Sequence, residues 1–511
     1  MFTPADGPVY ESVLDAVGHT PLIRLARLGA GLPAAVYLKA EFLNPGMSVK
    51  DRAALSMVLA AEESGALRAG GVVVEGTSGN TGIGLAIVAA QRGYRCVVVL
   101  PDKTSPDKVA VLRAYGAEVV LTPSALPAEH PEQVRNLARR ITERTPGAWL
   151  ADQYDNPANP RAHVETTGPE IWGQTAGRIT HFVAGIGTGG TISGTGRYLK
   201  EASSGSVRVI GADPTTSVYG GGDGSPYAVE AVGHYLHPET AEDVWPQSYD
   251  QAVVDEIVRI DDRDSIETVH RLAREEGLLV GGSSGTAVAA ALRIARDAAP
   301  GDLVVVIAPD SGRGYLSTYF NENWLLARGF RDGDGTRPTV GDLISAAGPP
   351  LTVRSRATVA EARAVLGPDR GGSPSGHGPL ADDGDLLGER SLPDDRLALV
   401  ADARVVRGLD RGGTLSGDRL ALVVLDRPGA AASWSVGDVV GSLQSSALLG
   451  LPDDEPIADH VQPFPQSAGA GEDPTDVVKR LPQGQAWIPL LRDGRIVAVV
   501  SRSALTESTS Y

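Results

Sequence analysis

The chain has 511 residues, with 46 basic against 63 acidic side chains, so its net charge is −17 at pH 7 with histidine neutral. This length allows about two to four domains. A content of 42% apolar and 21% charged residues excludes a wholly disordered chain. The acidic excess argues against nucleic acid or an anionic membrane as the partner, because phosphate groups would be repelled.

The single cysteine, Cys96, excludes an intrachain disulfide and any cysteine-rich metal site. It lies in the apolar run 96–100, so we expect a buried thiol. The first residues lack the basic start and apolar stretch of a secretory signal. No apolar segment approaches the roughly 20 residues of a membrane span. We therefore expect a cytoplasmic protein that binds no metal.

Short apolar runs alternate with helical patterns from about residue 35 to residue 310. The predicted strands are Val36–Lys39, Val72–Glu75, Cys96–Leu100, Glu118–Leu121, His181–Ile186, Val207–Ala212 and Leu303–Ala308. The predicted helices are Ser48–Ser64, Gly82–Arg92, Pro106–Tyr115, Pro131–Glu143 and Thr191–Glu201. Several of these strands are apolar almost throughout, which is typical of strands covered on both faces. The alternation therefore predicts an α/β fold with a parallel sheet.

A change in composition divides the chain. Residues 328–338 are polar and rich in glycine, which predicts a linker between a first domain, 1–327, and a second region, 339–511.

The second region has patterns of its own. Thr-Val-Gly-Asp at 339–342 recurs as Ser-Val-Gly-Asp at 435–438, a weak internal repeat. Residues 368–391 are rich in glycine, proline and aspartate and predict a loop. Residues 486–505 predict a strand, an Asp-Gly turn, a second strand and the start of a helix. We expect a smaller α/β region here.

Lys50 lies in the segment Asn-Pro-Gly-Met-Ser-Val-Lys-Asp-Arg at 44–52. Ser48 and Asp51 have the spacing of a capping box, which predicts a helix start with Lys50 in its first turn. There the lysine would face the loop side of the sheet, where a ligand could bind. Burial near a helix start favours the neutral form of its amine, and a neutral amine can act as a Schiff-base nucleophile. A solvated lysine at a helix start is the alternative.

Residues 75–84, Glu-Gly-Thr-Ser-Gly-Asn-Thr-Gly-Ile-Gly, follow a predicted strand directly. Glycine lets the backbone approach a ligand closely, and hydroxyls with free amides at a helix start suit a carboxylate or a phosphate. A tight turn would need only one or two of these residues. The segment therefore predicts a ligand site with Thr77, Ser78, Asn80 and Thr81 as candidates.

A second glycine-rich loop, Gly-Ile-Gly-Thr-Gly-Gly-Thr, occupies residues 185–191. Its first, third and sixth residues match the dinucleotide fingerprint, and Asp213 closes the next predicted strand, so an NAD site is one interpretation. The two threonines and the extra glycine suit a cup around one terminal phosphate instead. The local pattern does not decide between them.

Ser283 lies in Gly-Gly-Ser-Ser-Gly-Thr before an alanine-rich helix, and it is either a hydroxyl beside a ligand or a helix cap.

His234 and His237 form an HxxH pair without further ligands at suitable spacing, which indicates a loop rather than a metal site. Gly-Ser-Ser-Gly at 282–285 lacks the GxSxG order of a hydrolase nucleophile elbow.

Together and in this order, the four segments resemble the fold-type II pyridoxal-phosphate (PLP) enzymes, specifically the cystathionine β-synthase and cysteine synthase (O-acetylserine sulfhydrylase) group. The similarity runs from Tyr10–Leu25 to Pro309–Phe320 and includes 153–160 and 166–172, so it covers nearly all of the first 330 residues. The whole set is far more specific than one loop, and it favours PLP over NAD.

The resemblance implies a role for each candidate. Lys50 is expected to be the Schiff-base lysine and the proton carrier at the substrate α-carbon, and Asn80 to bond the cofactor's ring hydroxyl. Ser283 is expected to bond the pyridine nitrogen. The residues expected to hold the substrate α-carboxylate are Thr77, Ser78, Thr81 and Gln153. Those expected to seat the phosphate are Gly187, Thr188, Gly189, Gly190 and Thr191.

The expected chemistry is elimination and replacement at Cβ. A neutral serine does not hold the pyridine nitrogen protonated as an aspartate would, so a fully delocalised carbanion is less favoured and loss of a β-substituent competes well. The resemblance implies condensation of serine with homocysteine to give cystathionine, in a homodimer or higher homo-oligomer. One alternative is a cysteine synthase that uses O-acetylserine or O-phosphoserine with sulfide. Another is an inactive scaffold that serves assembly.

Several segments depart from the family's patterns. Gly-His-Tyr-Leu at 233–236 matches neither the Gly-Tyr-Asp-Phe of cystathionine synthases nor the Gly-Ala-Gly-Phe of sulfhydrylases, so the thiol acceptor stays open. Residues 339–511 resemble a degenerate pair of regulatory CBS repeats, but Ala504 stands where the ribose-binding aspartate is expected. We expect no haem, since no cysteine and no histidine precede His19.

Overall fold

The computed structural model describes residues 9–77, 79–124 and 126–331, and short pieces between residues 352 and 505. The chain divides into two compact units, Met1–Leu325 and Leu326–Tyr511. Among the described residues, none of the helices combines the length and the apolar character needed to cross a membrane.

The first unit alternates strands and helices. Its strands are β1 (Leu22–Arg24), β2 (Ala35–Ala40), β3 (Val72–Gly76), β4 (Arg95–Pro101), β5 (Glu118–Thr122), β6 (Ala148–Leu150), β7 (His181–Gly185), β8 (Arg208–Pro214), β9 (Glu256–Ile260) and β10 (Leu303–Ala308). Its helices are α1 (Lys50–Glu63), α2 (Asn80–Arg92), α3 (Pro106–Ala114), α4 (Val134–Arg144), α5 (Ala158–Ala162), α6 (Gly168–Gln174), α7 (Gly190–Ala202), α8 (Asp262–Arg271) and α9 (Gly282–Asp297), and α10 (Glu322–Ala327) follows at the boundary between the units.

These strands form two sheets. One has the order β1-β2-β10-β7-β8-β9, and its strands are parallel apart from β1, which runs antiparallel to β2. The other has the order β5-β4-β3-β6 and is parallel throughout. The predicted α/β fold with parallel strands is confirmed. The predicted strands all lie within a residue or two of the observed ones, whereas the edge strands β1, β6 and β9 were not predicted.

Burial explains why the central strands read as continuous apolar runs. All six residues of β10 are buried, because the strand lies between β2 and β7 and helices cover both faces of the sheet. Helix α2 is likewise apolar on most of its surface, and nine of its residues are buried. Cys96 is buried in β4, and burial raises the pKa of its thiol to about 12, so it is an inert core residue.

The described pieces of the second unit form two small sheets. They contain β11 (Thr352–Arg354), α11 (Val359–Leu366), β12 (Leu420–Val424), β13 (Trp434–Ser435), β14 (Val439–Gln444), β15 (Ala468–Gly469), α12 (Pro474–Arg480), β16 (Trp487–Arg492) and β17 (Arg495–Ser501). The predicted Asp-Gly hairpin is present as β16 and β17, whose turn residues Asp493 and Gly494 both have positive φ, as a tight hairpin turn requires.

The same order of elements occurs twice in this unit. In each case a short strand is followed by a helix, then by a second strand parallel to the short one, and then by a third strand antiparallel to the second. These elements are β11, α11, β12 and β14 in one case and β15, α12, β16 and β17 in the other. The predicted loop at 368–391, residues 332–338 of the linker, the segment 339–342 and Ala504 lie outside the described residues.

Candidate active site

The candidate residues lie where parallel strands of both sheets end. Segments that carry them follow the carboxyl ends of β2, β3 and β7, and the residues after β10 lie at the same edge of the six-stranded sheet. In open α/β sheets, ligands bind outside the carboxyl ends of the strands. The topology therefore brings together residues that are up to 233 positions apart in sequence, from Lys50 to Ser283.

Lys50 is the first residue of α1, as predicted, but the predicted capping box is wrong. The Ser48 hydroxyl accepts a hydrogen bond from the Lys50 backbone N–H at 3.2 Å, whereas the Asp51 carboxylate accepts from Gly46 rather than from Ser48. Helix α1 has no side-chain cap at its N-cap residue, Val49. The Asp51 carboxylate is instead used to close the loop that precedes the helix.

The Lys50 side chain is largely enclosed. Burial lowers the pKa of its amine to about 8, and the nearby carboxylate of Asp310 opposes that shift. An ordinary lysine is almost entirely charged at neutral pH, so this environment increases the fraction of neutral amine. Lys50 is therefore not the fully solvated lysine that was the alternative.

The segment after β3 turns sharply into α2. Gly79, its N-cap residue, has a φ of +128°, which favours glycine, and a Cβ there would lie 2.8 Å from the side chain of Lys108. Thr77 is buried, and its hydroxyl accepts from the Gly79 N–H at 3.2 Å. Ser78 lies outside the described residues.

Thr81 and Gln153, both expected to hold the substrate α-carboxylate, are in direct contact. The Thr81 hydroxyl donates to the Gln153 side-chain oxygen at 2.5 Å, and both side chains are buried. Asn159, which the sequence analysis missed, donates to the Gln153 backbone carbonyl at 2.7 Å and to the Thr188 hydroxyl at 3.2 Å. Asn159 therefore connects the residues near β3 with the loop after β7.

That loop ends at the start of α7. Its N-cap, Gly189, has a φ of +85°, and a Cβ there would lie 2.3 Å from the Cβ of Tyr249. A Cβ at Gly190 would lie 2.2 Å from the Asn159 side-chain oxygen. Only glycine fits at both positions, and the amides of the first turn of a 13-residue helix stay available to an anion.

His163 lies behind this loop and was also missed. Its Nε2 is 3.2 Å from the Thr191 hydroxyl and its Nδ1 is 2.8 Å from the Thr167 hydroxyl. Burial, together with the charges of Arg52 and Lys50, holds the pKa of His163 well below its usual range, so the ring is neutral. Only its contact with Thr191 could have identified it, and that contact depends on tertiary structure.

Ser283 lies in the first turn of α9 and is 1% exposed. Its hydroxyl has no hydrogen-bond partner among the described residues, and the helix has no side-chain cap. The cap interpretation of Ser283 is therefore wrong. Buried polar atoms are nearly always paired in proteins, so the Ser283 hydroxyl can take a partner that the described residues do not supply.

The histidine pair is not gathered into a metal site. His234 Nε2 contacts the Asp243 carboxylate at 2.7 Å, and His237 packs against the ring of Tyr235. Across the part of the chain that the structure describes, there is no cluster of three or more histidine, cysteine or acidic side chains that could hold a metal.

Asp213, the acidic residue of the NAD interpretation, accepts a hydrogen bond from the Gly220 backbone N–H at 2.8 Å.

A protein-family model described as "Pyridoxal-phosphate dependent enzyme" matches residues 13–310. A cystathionine beta-synthase of Apis mellifera is 43% identical over 324 residues, which is 63% of this chain and 64% of that protein. Cysteine synthase 1 of Neurospora crassa is 44% identical over 322 residues, 62% of this chain and 85% of that one. The chain thus spans less than two thirds of the cystathionine beta-synthase that it matches.

Two solved structures resemble the first unit. The structure of an O-ureido-L-serine synthase is 42% identical, covers 62% of this chain and 96% of its own, and superposes with a TM-score of 0.57. A hydrogen sulfide-producing enzyme from Fusobacterium nucleatum is 34% identical, covers 60% of this chain and 100% of its own, and gives a TM-score of 0.56.

Proposed function

The chain belongs to the pyridoxal-phosphate dependent enzyme family, and on that premise we propose that it replaces the β-substituent of a serine-type amino acid with a thiol. The proposed reaction joins serine and homocysteine to give cystathionine. The observation that carries the proposal is Lys50, whose amine has a pKa of about 8 at the edge of the sheet where the other candidates meet. The likeness to a cystathionine beta-synthase over the first unit supports the choice of substrates.

The residues of the site fit the cofactor. Its pyridine nitrogen needs a hydrogen-bond partner, and the Ser283 hydroxyl is buried without one in the described chain. Its phosphate needs amides that a ligand can approach, and the glycines at the start of α7 leave room where a Cβ would collide. Its aldehyde needs a partly neutral amine, which burial provides at Lys50.

In this proposal, bound PLP supplies an aldehyde that bonds a primary amine and a ring that withdraws electrons from the substrate α-carbon. Lys50 would hold the aldehyde until the amine of the substrate takes its place, and the Lys50 amine released by that exchange would take the proton from the α-carbon and later return it. Asn80 bonds the ring hydroxyl. Ser283 bonds the pyridine nitrogen without charging it, which favours loss of the β-substituent over other outcomes at the α-carbon.

The chain's other proposed roles are binding and orientation. Thr77, Ser78, Thr81 and Gln153 hold the α-carboxylate of the amino-acid substrate, and the contact between Thr81 and Gln153 supports a common role for those two. Residues 187–191, from Gly187 to Thr191, hold the phosphate. His163 is neutral, so one ring nitrogen donates and the other accepts. If Nε2 donates to the Thr191 hydroxyl, that hydroxyl is left to donate to the phosphate.

A cysteine synthase that uses O-acetylserine or O-phosphoserine with sulfide is the second candidate. It is favoured by the likeness to cysteine synthase 1, of which the chain spans 85%. An inactive scaffold is the third, and the largely enclosed Lys50 amine and the unpaired Ser283 hydroxyl count against it.

The test is a paired assay of the PLP-loaded full chain. We expect cystathionine from serine and homocysteine, identified by mass spectrometry, at a higher kcat/KM than cysteine from O-acetylserine or O-phosphoserine and sulfide. Lys50→Ala should lose both the visible absorbance of the bound cofactor and all turnover, while Lys103→Ala, at an exposed lysine, should keep both. A colourless wild-type protein after addition of PLP would refute the proposal.

We also propose the division into a catalytic domain, 1–327, a linker, 328–338, and a degenerate CBS pair, 339–511. The repeated order of elements in the second unit supports a paired architecture. Calorimetric titration of the full chain with S-adenosylmethionine and with adenylate tests whether the pair binds a nucleotide. The proposed absence of the ribose-binding aspartate predicts no saturable heat.

A further inference from the structure

A buried carboxylate that the proposed function does not use lies at the centre of the site. Asp310 lies two residues after the end of β10 and is 2% exposed. Its Oδ2 accepts hydrogen bonds from the Asn80 Nδ2 at 2.7 Å and from the Tyr315 hydroxyl at 2.6 Å. Its Oδ1 is buried without a hydrogen-bond partner among the described residues. Asp310 is thus the side-chain partner of the residue proposed to bond the cofactor's ring hydroxyl.

The backbone of Asp310 joins two other parts of the site. Its carbonyl accepts from the Gly281 N–H at 3.1 Å, two residues before Ser283. Asp310 also forms a β-bridge with Ser48, two residues before Lys50. The segments that carry Lys50, Asn80 and Ser283 therefore all meet at this one residue.

Charged groups on three other segments face the Asp310 carboxylate. The Lys108 amine donates to the Tyr315 hydroxyl at 2.7 Å and to the Glu230 carboxylate at 3.0 Å. The pKa of the Asp310 carboxyl is raised, mainly by burial, and the Lys108 charge and the hydrogen bonds from Tyr315 and Asn80 oppose that shift. The Asp310 carboxylate in turn raises the pKa of Lys50 against the stronger effect of burial.

These contacts assign a role that none of the earlier candidates fills. We propose that Asp310 is a positioning residue, whose carboxylate orients the Asn80 amide for the cofactor's ring hydroxyl and whose backbone holds the segments of Lys50 and Ser283 beside it. The inference rests on the proposed function, because it assumes that Lys50 and Asn80 meet the cofactor as stated there.

Two physical arguments support this role. One hydrogen of the Asn80 amide is held by Asp310, which fixes the plane of the amide and leaves the second hydrogen to donate elsewhere. Burial alone would drive the Lys50 amine to its neutral form, and a fixed negative charge keeps part of it protonated. The same amine is then able to bond an aldehyde and also to carry a proton.

The test compares the full-length wild type with Asp310→Asn, which keeps the shape of the side chain and removes its charge. The rate at which the apoprotein captures PLP is followed by visible absorbance as a function of pH, since only the neutral amine bonds the aldehyde. We expect a midpoint of about 8 for the wild type. In the variant we expect a midpoint at least about 0.5 pH unit lower, because an opposite charge no longer favours the protonated amine.

The PLP dissociation constant is the second readout. We expect it to rise about fivefold in Asp310→Asn, since a charge-assisted hydrogen bond to Asn80 is weakened. Asp302→Asn is the matched control, because Asp302 immediately precedes the opposite end of β10 and its carboxylate accepts from the Ala299 N–H instead. It should leave the midpoint and the dissociation constant as in the wild type.

Tyr315→Phe covers the case in which Asp310→Asn does not fold. It removes one hydrogen bond to the carboxylate but keeps the charge, so PLP affinity should fall while the midpoint moves less than in Asp310→Asn. The role of Asp310 alone would be overturned if the wild type captured PLP and catalysed replacement while Asp310→Asn kept the same midpoint and PLP affinity. An unchanged PLP affinity in Tyr315→Phe would overturn it too. A wild type that captures no PLP would overturn the proposed function and this inference with it.

Discussion

Thr81 donates its hydroxyl hydrogen to the side-chain oxygen of Gln153 at 2.5 Å, although the two residues are 72 positions apart. Thr81 lies in the first turn of α2 after β3, and Gln153 follows β6, the strand that pairs with β3. Because Gln153 Oε1 accepts from Thr81 and the Gln153 side chain also bonds the Glu75 carboxyl, the remaining hydrogen on Nε2 is the group left to meet a carboxylate. The contact thus fixes which end of the amide faces the proposed substrate.

Replacing this amide by a carboxylate tests its proposed role. Gln153→Glu should raise KM for serine about tenfold or more, because a negative charge would face the substrate carboxylate, and about 1.4 kcal/mol corresponds to tenfold. The PLP dissociation constant should stay close to that of the wild type. Steady-state kinetics with varied serine checks this, with Gln251→Glu at an exposed position as the control. An unchanged KM would remove Gln153 from the substrate site.

Ser283→Ala separates a ligand role from a structural one. The Ser283 hydroxyl has no partner in the described chain, so its loss should leave the thermal unfolding of the apoprotein unchanged or slightly raised. Loss of one hydrogen bond to the cofactor should weaken PLP binding by roughly 2- to 13-fold.

Thr286→Val is the matched variant on the same helix. The Thr286 hydroxyl is buried and bonded to the Ser265 hydroxyl at 2.9 Å, so its removal should lower the unfolding temperature without weakening PLP binding. PLP titration and calorimetric unfolding of both variants provide the comparison. If Ser283→Ala instead destabilised the apoprotein and bound PLP normally, the hydroxyl would be structural.

Gly189, the N-cap of α7, allows a test of the proposed phosphate site, with Gly205 as its control. Gly189 and Gly205 have almost the same φ, +85° and +83°, but of the two only Gly189 has atoms in the way of a Cβ. Gly205→Ala should cost about 1 kcal/mol of the free energy of unfolding, from backbone strain alone. Gly189→Ala should cost about 1–3 kcal/mol more through its clash with Tyr249.

PLP affinity distinguishes the two variants further. Gly189→Ala should bind PLP at least about tenfold more weakly, because the helix start must shift, while Gly205→Ala should bind it normally. Denaturant unfolding and PLP titration measure the two effects. Equal losses of stability and affinity at the two positions would contradict the proposed phosphate site.

Glu75 should make the stability of the apoprotein depend on pH. Burial, with a contribution from the charge of Asp152, raises the pKa of the Glu75 carboxyl to about 8, whereas in the unfolded chain it titrates near about 4.3. Between these values the folded state holds a proton that the unfolded state has lost. The free energy of unfolding therefore falls as the pH rises through this window, by at most about 1.4 kcal/mol per pH unit.

Glu75→Gln removes this contribution. Between about pH 5.5 and about pH 7.5, the variant should lose about 1–2.5 kcal/mol less stability than the wild type. Urea unfolding at the two pH values measures the difference. Glu118→Gln removes an exposed carboxylate and should follow the wild type, and the same behaviour in Glu75→Gln would show that Glu75 ionises normally in the fold.

The sequence located the central strands and the loops after them, because a strand buried on both faces must be apolar throughout and a close turn must contain glycine. It did not predict β1, β6 or β9. All three lie at the edge of a sheet, where burial imposes a weaker pattern, and β1 and β6 have only three residues each. The predicted capping box at Ser48 was wrong, because the spacing matched but the Asp51 carboxylate accepts a hydrogen bond from Gly46 in the folded loop.

By itself, the sequence determined the chemical kinds of residue available to the site, because motif, spacing and local turn are properties of neighbouring positions. Only the tertiary structure decided what those residues contact. It brought Asp310 to Asn80, put His163 beside Thr191 and left the Ser283 hydroxyl without a partner among the residues that the structure describes. Burial and charge, which shift the pKa of Lys50, come from segments distant along the chain, and a folded sheet is what brings them together.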